Sequence, residues 1–589
     1  MKYALTKTTK ADKITKLCTF DIETIKWTKP YATGFYDGYK YTEFVGQHCI
    51  KEFVNHFLSR KYRGFTCFAH NGGKFDFSFV LHELNRLNYK KKYQINIIRI
   101  GSRITQITIH SVYNGRKQNS WTLRDSVGMF KATLKKLTNS FKVKHLKGEF
   151  DHNKINFKNY LDLYSEWSPY LKKDCVGLFE VMRKFEDYNF RMFDTTINKN
   201  LTIAQLSLSI YRKKYFVTPL NTYRSYETDI RESYFGGRTE IFKQYGEHLN
   251  YYDINSLYPA KMLEEYMPVG IPLKSYVMTL EDFGVIKVEV EAPKDLDIPL
   301  LPFREEKTRK LIFPKGKWTG FYCTPELKKA KQLGYKIKII YGYKFVKKKI
   351  FTKFVTELQK IKQNAERGSV DYMISKLIQN SLYGKFGQKR ERKKIIFCPI
   401  NIKGMIKLDD YKGMDLYEKE EISESNHILP AISSFIACYS RLGMYELIEE
   451  VQSKNGIVYY CDTDSIITDV ELKTGDKLGE LKDELDGLKI DRGIFILPKM
   501  YACKLSDGSE ITRCKGFPSG MFNFKNFEKA LFDKDLSDFK FKKRMFASPF
   551  ESLRRNKCFV SMIDFSRTVT AVYDKRIISD DYSTVAKSI

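Results

Sequence analysis

The segment Tyr459-Tyr460-Cys461-Asp462-Thr463-Asp464-Ser465-Ile466 places two acids, one residue apart, inside a run that otherwise reads as a buried strand. An isolated Asp-x-Asp is most often structural, because Asp readily closes a turn on its own backbone. The apolar flanks argue otherwise here. Two ionised carboxylates about 4 Å apart repel by roughly 4 kcal/mol at an effective dielectric of about 20. Where solvating neighbours are few, a divalent cation is the natural neutraliser, and oxygen-only ligands favour Mg2+ or Mn2+.

A third acid of the same kind is Asp253, in Tyr251-Tyr252-Asp253-Ile254-Asn255-Ser256-Leu257-Tyr258-Pro259, where an apolar strand ends in Asp before a turn closed by Pro. Between these two stretches lies Lys376-Leu377-Ile378-Gln379-Asn380-Ser381-Leu382-Tyr383-Gly384-Lys385-Phe386. On a helix, Lys376, Asn380 and Tyr383 fall on one face. A cation, an amide and a ring together suit a triphosphate and a base better than a core.

A separate set of acids occupies the N-terminal third. Asp21 and Glu23, in Phe20-Asp21-Ile22-Glu23-Thr24, share one face of a strand at period two. Asp76 follows a glycine-containing turn in His70-Asn71-Gly72-Gly73-Lys74-Phe75-Asp76, and Tyr170 and Asp174 stand four apart on a helical stretch.

The chain's 589 residues carry 102 Lys+Arg against 70 Asp+Glu, a net charge of +32 that points to a polyanionic partner. Basic clusters recur at Lys90–Lys92, Lys347–Lys349, Lys389–Lys394 and Lys542–Arg544, interleaved with aromatic residues. The 11 cysteines stand singly, without a Cys-x-x-Cys pair, which argues for a reducing compartment and against a zinc ribbon. There is no phosphate-binding GxxxxGK[ST] loop, no secretory h-region and no apolar run approaching the ~18 residues of a membrane span. A soluble, intracellular protein with no membrane partner is expected. Strand-like patterns mark Cys18–Glu23, Ile95–His110, Asn250–Ile254 and Ile457–Tyr460; helical spacing marks Phe351–Phe386, Phe435–Val451 and the region around Ser168–Phe185.

Taken in order, DINSLYP, KLIQNSLYGKF and YCDTDS resemble motifs A, B and C of the family B DNA polymerases, and FDIET, the Asp76 stretch and YLKKD resemble the three motifs of their DEDDy 3′–5′ exonucleases. The resemblance implies an α/β (α+β) chain with an RNase H-like exonuclease domain over 1–195. A right-hand polymerase follows: palm at 196–272 and 431–520, fingers at 351–386, thumb and C-terminal tail at 521–589. Insertions at 273–350 and 387–430 match in placement those of the protein-primed members, where the first docks a terminal protein and the second encloses DNA for processivity and strand displacement.

The same resemblance implies two Mg2+ ions per active site, replaceable by Mn2+, held by Asp253, Asp462 and Asp464 for synthesis and by Asp21, Glu23, Asp76 and Asp174 for digestion, with Tyr170 orienting water. It implies a dNTP pocket of Lys376, Asn380, Tyr383, Ser256, Leu257 and Tyr258, the last excluding a 2′-OH. Tyr234, Gly236 and Gly237 resemble a YxGG element on the template, and Lys499 and Tyr501 a KxY motif on the primer. Arg441 resembles a template-contacting arginine, although the expected preceding Thr is here Ala437. Asn71, Phe75, His70, Ser126 and Lys147 are implied contacts for a single-stranded 3′ end. The implied partners are primer-template DNA, dNTPs and a terminal protein serving a monomer. A conventionally primed or self-priming family B polymerase shares every motif. A reverse transcriptase would carry Tyr-x-Asp-Asp, and a non-catalytic DNA-binding protein would show a broken acid set.

Overall fold

Of the two opening acids, Asp462 ends a strand and Asp464 lies in the turn that follows it. In the computed structural model, which describes residues 4–9, 13–87, 92–411, 414–556, 558–570 and 573–589, Val458–Asp462 and Ser465–Thr468 form an antiparallel hairpin turned at Thr463-Asp464. Thr463 takes φ 68°, the left-handed conformation that such a tight connection demands. Both arms are buried, β-branched and aromatic, which is why the run reads as a single strand.

Around this hairpin the palm sheet runs Thr239–Ile241, Val458–Asp462, Ser465–Thr468, Tyr245–Ile254, Ile490–Leu497, Met500–Leu505, Glu510–Cys514, with Leu481–Asp483 added to Tyr245–Ile254. Asp253 pairs with Ser465 across adjacent strands, so motifs more than two hundred positions apart meet at one sheet end. Helix Pro430–Ser453 starts on a proline, whose missing N–H is not needed in a first turn. Its Met444, Ile448 and Val451 pack with Val458, Cys461 and Ile466 of the hairpin.

The stretch 351–386 is three helices, Thr352–Gln363, Val370–Ser381 and Tyr383–Phe386. Gly368 at φ 88° and Ser369, whose side chain caps the next helix by accepting from Tyr372 N, interrupt the periodicity. Likewise Ile95–His110 spans a hairpin, Tyr93–Ile100 with Arg103–Tyr113, turned at Gly101 with φ 60°.

The N-terminal residues build a mixed sheet ordered Ile406–Tyr411, Met414–Ile422, Glu391–Phe397, Tyr93–Ile100, Arg103–Tyr113, Arg116–Asp125, Thr66–Ala69, Leu17–Ile25, Lys29–Tyr36, Tyr41–Val45. Thr66–Ala69 is parallel to both its neighbours. The first three strands come from the 387–430 stretch: Lys394–Phe397 pairs directly with Ile95–Ile98. Sequence gave no sign of this pairing, because strand-to-strand choice depends on which edge a distant segment reaches.

The stretch after the first palm segment forms a four-stranded antiparallel sheet, Met267–Ser275, Lys336–Lys348, Gly284–Ala292, Gly316–Cys323, followed in chain order by helix Thr324–Gln332 after its last-named strand. The expected boundary between 272 and 273 therefore falls inside a strand. Toward the C-terminus, helix Phe524–Phe532 precedes a hairpin of Lys540–Phe546 with Met562–Thr568. Phe546 meets Phe75 at 4.9 Å and Phe559 meets Phe397 at 5.7 Å between ring centroids, so the C-terminal region packs on the extended N-terminal sheet and the loop beside it. The final residues return to the palm, where Thr584 N donates to Phe242 O at 2.8 Å. Among the described residues no helix is long and apolar enough to cross a membrane. Lys90 and Lys91 lie outside the described residues.

Candidate active sites

Strand Leu17–Ile25 is buried on both faces except at Asp21 and Thr24, and Asp21 and the buried Glu23 leave it on the same side. Helix Tyr164–Phe193 brings Tyr170 and Asp174 over that side. Its close approach needs Gly34: a Cβ there would lie 2.8 Å from Cys175 Sγ and 2.9 Å from Leu171 Cγ. Asp76 begins helix Asp76–Leu87 and is buried. Burial, then the charges of Asp76, Asp174 and Glu23, push the Asp21 carboxyl well above the usual range. Burial drives Asp76 up to about 8, with Asp125 and Glu23 adding to it, and burial raises Asp174 against the pull of Lys147. Asp76 Oδ1 and Asp174 Oδ1 are buried without a hydrogen-bond donor.

Four clustered acids, two with orphaned oxygens, form a donor set that fits hard divalent cations. Among the described residues, no three His, Cys, Asp or Glu side chains close into a ready cage. Lys147 belongs to this cluster: its Nζ pairs with Asp174 and donates to Tyr170 Oη at 2.9 Å, so it is spent on the acids and is not a free DNA contact. His152, which the sequence did not single out, lies with Nδ1 3.3 Å from Glu23 Oε2 and its ring beside Phe150 and Tyr170.

The loop entering Asp76 is held by Asp125, which accepts from Asn71 N at 3.0 Å and Gly73 N at 3.2 Å and pairs with Arg103. Asn71 stays exposed at φ 67°, and Phe75 stands half-buried beside it. Two expected DNA contacts are corrected here. Ser126 is fully buried and lies 2.9 Å from His70 Nδ1, while His70 Nε2 lies 3.0 Å from Ala132 O. Both His70 nitrogens are thus occupied within the protein.

At the palm, burial and the neighbouring Asp464 push Asp253 up to about 7, and burial followed by Asp462 raises Asp464. Lys376 is close enough to Asp253 to oppose that rise, so the fingers helix faces the palm acids. Lys376 and Asn380 are exposed; Tyr383 is half-buried and stacks on Tyr258 with centroids 4.1 Å apart. Asp462 is paired instead: Lys499 Nζ lies 2.7 and 2.6 Å from its oxygens, and Thr239 Oγ1 donates at 3.1 Å. A cavity of about 450 Å³ opens beside Asp462, lined by Lys499, Tyr501 and residues 512–522.

The turn is braced from behind. Thr463 N donates to Arg238 O at 2.7 Å, and Gly237 lies against Thr463 with no room for a side chain. Ser256 at φ 54° lies two residues past strand Tyr245–Ile254, at the N-cap of helix Leu257–Glu264, whose first N–H groups have no intrahelical acceptor. Leu257 is corrected in part: its side chain is in the core, leaving only its backbone to a nucleotide. Tyr501 is also mainly core, packed on Tyr460 and Phe495, with its hydroxyl 3.3 Å from that of Tyr251. Tyr234 is half-buried and Gly236 exposed.

Arg441 is the clearest correction. A template contact must reach solvent, but this side chain is 1% exposed and fully engaged by protein. Nε and Nη2 each lie 2.8 Å from a Glu326 oxygen, and Nη1 donates to Phe235 O and Gly236 O. Nothing in the sequence marks Glu326, since one Glu on a Lys-rich helix looks like solvated surface.

The chain matches the family model described as DNA polymerase type B, organellar and viral, over residues 56–169 and 156–435. It is 29% identical to a "Probable DNA polymerase" of Neurospora intermedia over 80% of this chain and 55% of that protein. A "Probable DNA polymerase" of Podospora anserina is 28% identical over 82% of this chain and 50% of its own length. The chain thus spans about half the length of these curated relatives. Its fold matches a solved structure of phi29 DNA polymerase complexed with primer-template DNA and incoming nucleotide substrates, with a TM-score of 0.74 and 20% identity, over 95% of this chain and all of that one.

Proposed function

The chain belongs to the type B DNA polymerases of organelles and viruses, and from that footing we propose that it extends DNA primers on a template and edits them with a 3′–5′ exonuclease. The observation that carries this reading is the meeting of Asp253 and Asp464 at one sheet end, with Lys376 of helix Val370–Ser381 near enough to act on Asp253. Asp253 and Asp464 would hold divalent cations, Mg2+ or Mn2+, with Asp462 assisting once Lys499 releases it. When bound, such ions supply a more acidic primer 3′-OH and neutralisation of the departing pyrophosphate.

The protein's own groups do the rest. Lys376, Asn380 and the free N–H groups of Leu257 and Tyr258 would cradle the triphosphate, since a helix N-terminus favours an anion. The Tyr258 and Tyr383 rings would floor the pocket under sugar and base. Lys499 would steady the primer end once a cation replaces it on Asp462. In the first domain, Asp21, Glu23, Asp76 and Asp174 would bind the editing cations, and Tyr170 would orient water, its hydroxyl held by Lys147. Asn71 and Phe75 would receive the frayed 3′ end.

The domain division we assign follows the motifs: exonuclease to about residue 195, then palm, fingers and thumb with the two insertions. We further assign replication of a small linear genome primed by a terminal protein. The first insertion supports this with the exposed Ile271, Leu273, Tyr276 and Val277 on and beside an edge strand, an apolar face suited to a protein partner. The second supports strand displacement by extending the N-terminal sheet and meeting the C-terminal region through Phe397 on Phe559.

Primer extension with and without Mg2+ tests the central reading, and Asp464→Asn should abolish it while keeping DNA binding and digestion, because an amide lacks the charge a cation needs. Extension by that variant at near wild-type rate refutes it. Priming is tested by incorporation of a labelled dNMP onto a terminal protein; extension from a DNA primer alone would leave a conventionally primed enzyme.

A further inference from the structure

We propose that Glu326, in the first insertion, is a positioning residue for DNA synthesis that acts through Arg441 on the Tyr234–Gly237 loop. Glu326 opens toward the palm from helix Thr324–Gln332, which directly follows strand Gly316–Cys323 of the insertion sheet. Its two oxygens take Nε and Nη2 of Arg441 at 2.8 Å each, and both side chains are 1% exposed. The remaining Arg441 nitrogen, Nη1, reaches Phe235 O at 2.9 Å and Gly236 O at 3.2 Å. The fork geometry of guanidinium on carboxylate therefore fixes where these two carbonyls sit.

The loop has further supports from the same insertion. Phe235 stacks on Tyr322 at 5.7 Å, and Arg304 Nη2 lies 3.4 Å from Tyr234 O. At its far end the loop touches the catalytic hairpin, through Gly237 against Thr463 and Arg238 O accepting from Thr463 N. A continuous set of packed groups thus runs from the insertion sheet to the turn between Asp462 and Asp464. Because the pair is buried, neutralising one member leaves the other's charge uncompensated and loosens what it holds. The insertion then does more than offer an outer face: its helix sets the template-side loop. This rests on the polymerase reading above.

The test is a double-mutant cycle with Glu326→Gln, Arg441→Met and the double variant, using full-length protein and one matched primer-template. Measured quantities are primer-template Kd, kcat and KM for dNTP, digestion of free single-stranded DNA, and Tm. We expect Glu326→Gln to weaken primer-template binding about tenfold, and the double variant to be no worse than Arg441→Met alone, as coupled neighbours behave. The KM for dNTP and digestion of single strands should stay within about twofold, since those sites are not built on this pair. The inference is overturned if Glu326→Gln binds primer-template as wild type does, or if the two losses simply multiply. It is equally overturned if single-strand digestion falls in step with DNA binding, which marks general unfolding. Wild-type protein that fails to extend any primer would instead sink the polymerase reading itself.

Discussion

Replacing Gly237 with alanine should slow the chemical step of synthesis about 100-fold without unfolding the protein. The new Cβ would stand 2.8 Å from Thr463 Cγ2 and 3.2 Å from Thr463 Cα and Cβ. Carbon atoms rest at about 3.5–4.0 Å, so the turn must retreat by about 0.5–1 Å. Rotating the Thr463 side chain does not relieve the contact, because the Cα is also too near and its N–H is tied to Arg238 O at 2.7 Å. The retreat moves Asp462 and Asp464, which flank Thr463. Misplacing a catalytic group by about 1 Å costs about 10²-fold in rate, equivalent to about 2.7 kcal/mol on the barrier.

Overpacking costs about 1–3 kcal/mol of stability, leaving the fold intact in a domain of ordinary stability. Single-turnover primer extension at saturating dNTP isolates this step, and single-strand digestion and Tm serve as controls. Gly236→Ala is the matched comparison: nothing lies within 4 Å of a Cβ at 236, so any effect there should fall on template affinity and not on the chemical rate. A Gly237→Ala rate within about threefold of wild type, or an equal slowing by Gly236→Ala, would refute the argument that the loop braces the turn.

Asp21→Ala combined with Asp174→Ala should lower 3′–5′ digestion by about 10³-fold and raise misincorporation, with extension kept; undiminished digestion removes the first domain's assignment. Tyr258→Val should cut the dNTP-over-rNTP ratio of kcat/KM by about tenfold to a hundredfold, through space for a 2′-OH, with only modest loss of dNTP use. Because Tyr258 stacks on Tyr383 at 4.1 Å, a purely packing role would instead harm both substrates together. Primer-template binding should weaken steeply with salt, with a log–log slope of about −5 to −9 for about 6–10 phosphate contacts. A flat response would detach the +32 charge from DNA binding.

Every acid of both clusters was legible from residue type and order, because a strand end followed by a turn, or a helix spaced by four, announces where a carboxylate points. Asp21 with Glu23 and Tyr170 with Asp174 needed only the periods of strand and helix. The run around Asp462 was legible as buried but not as a hairpin, since burial pattern alone does not locate a two-residue turn. Tertiary structure decided the rest. Arg441 looked like a DNA contact until Glu326 and the Phe235 and Gly236 carbonyls engaged all three of its nitrogens. Ser126 and the Leu257 side chain were removed from their sites in the same way, by packing partners distant in sequence. The pairing of Glu391–Phe397 with Tyr93–Ile100 likewise joins segments some three hundred residues apart. Local periodicity reports the direction of a side chain relative to its own backbone. Which group meets it there is set by long-range packing, and so a single sequence picks out the candidate acids but not the neighbours that hold them in place.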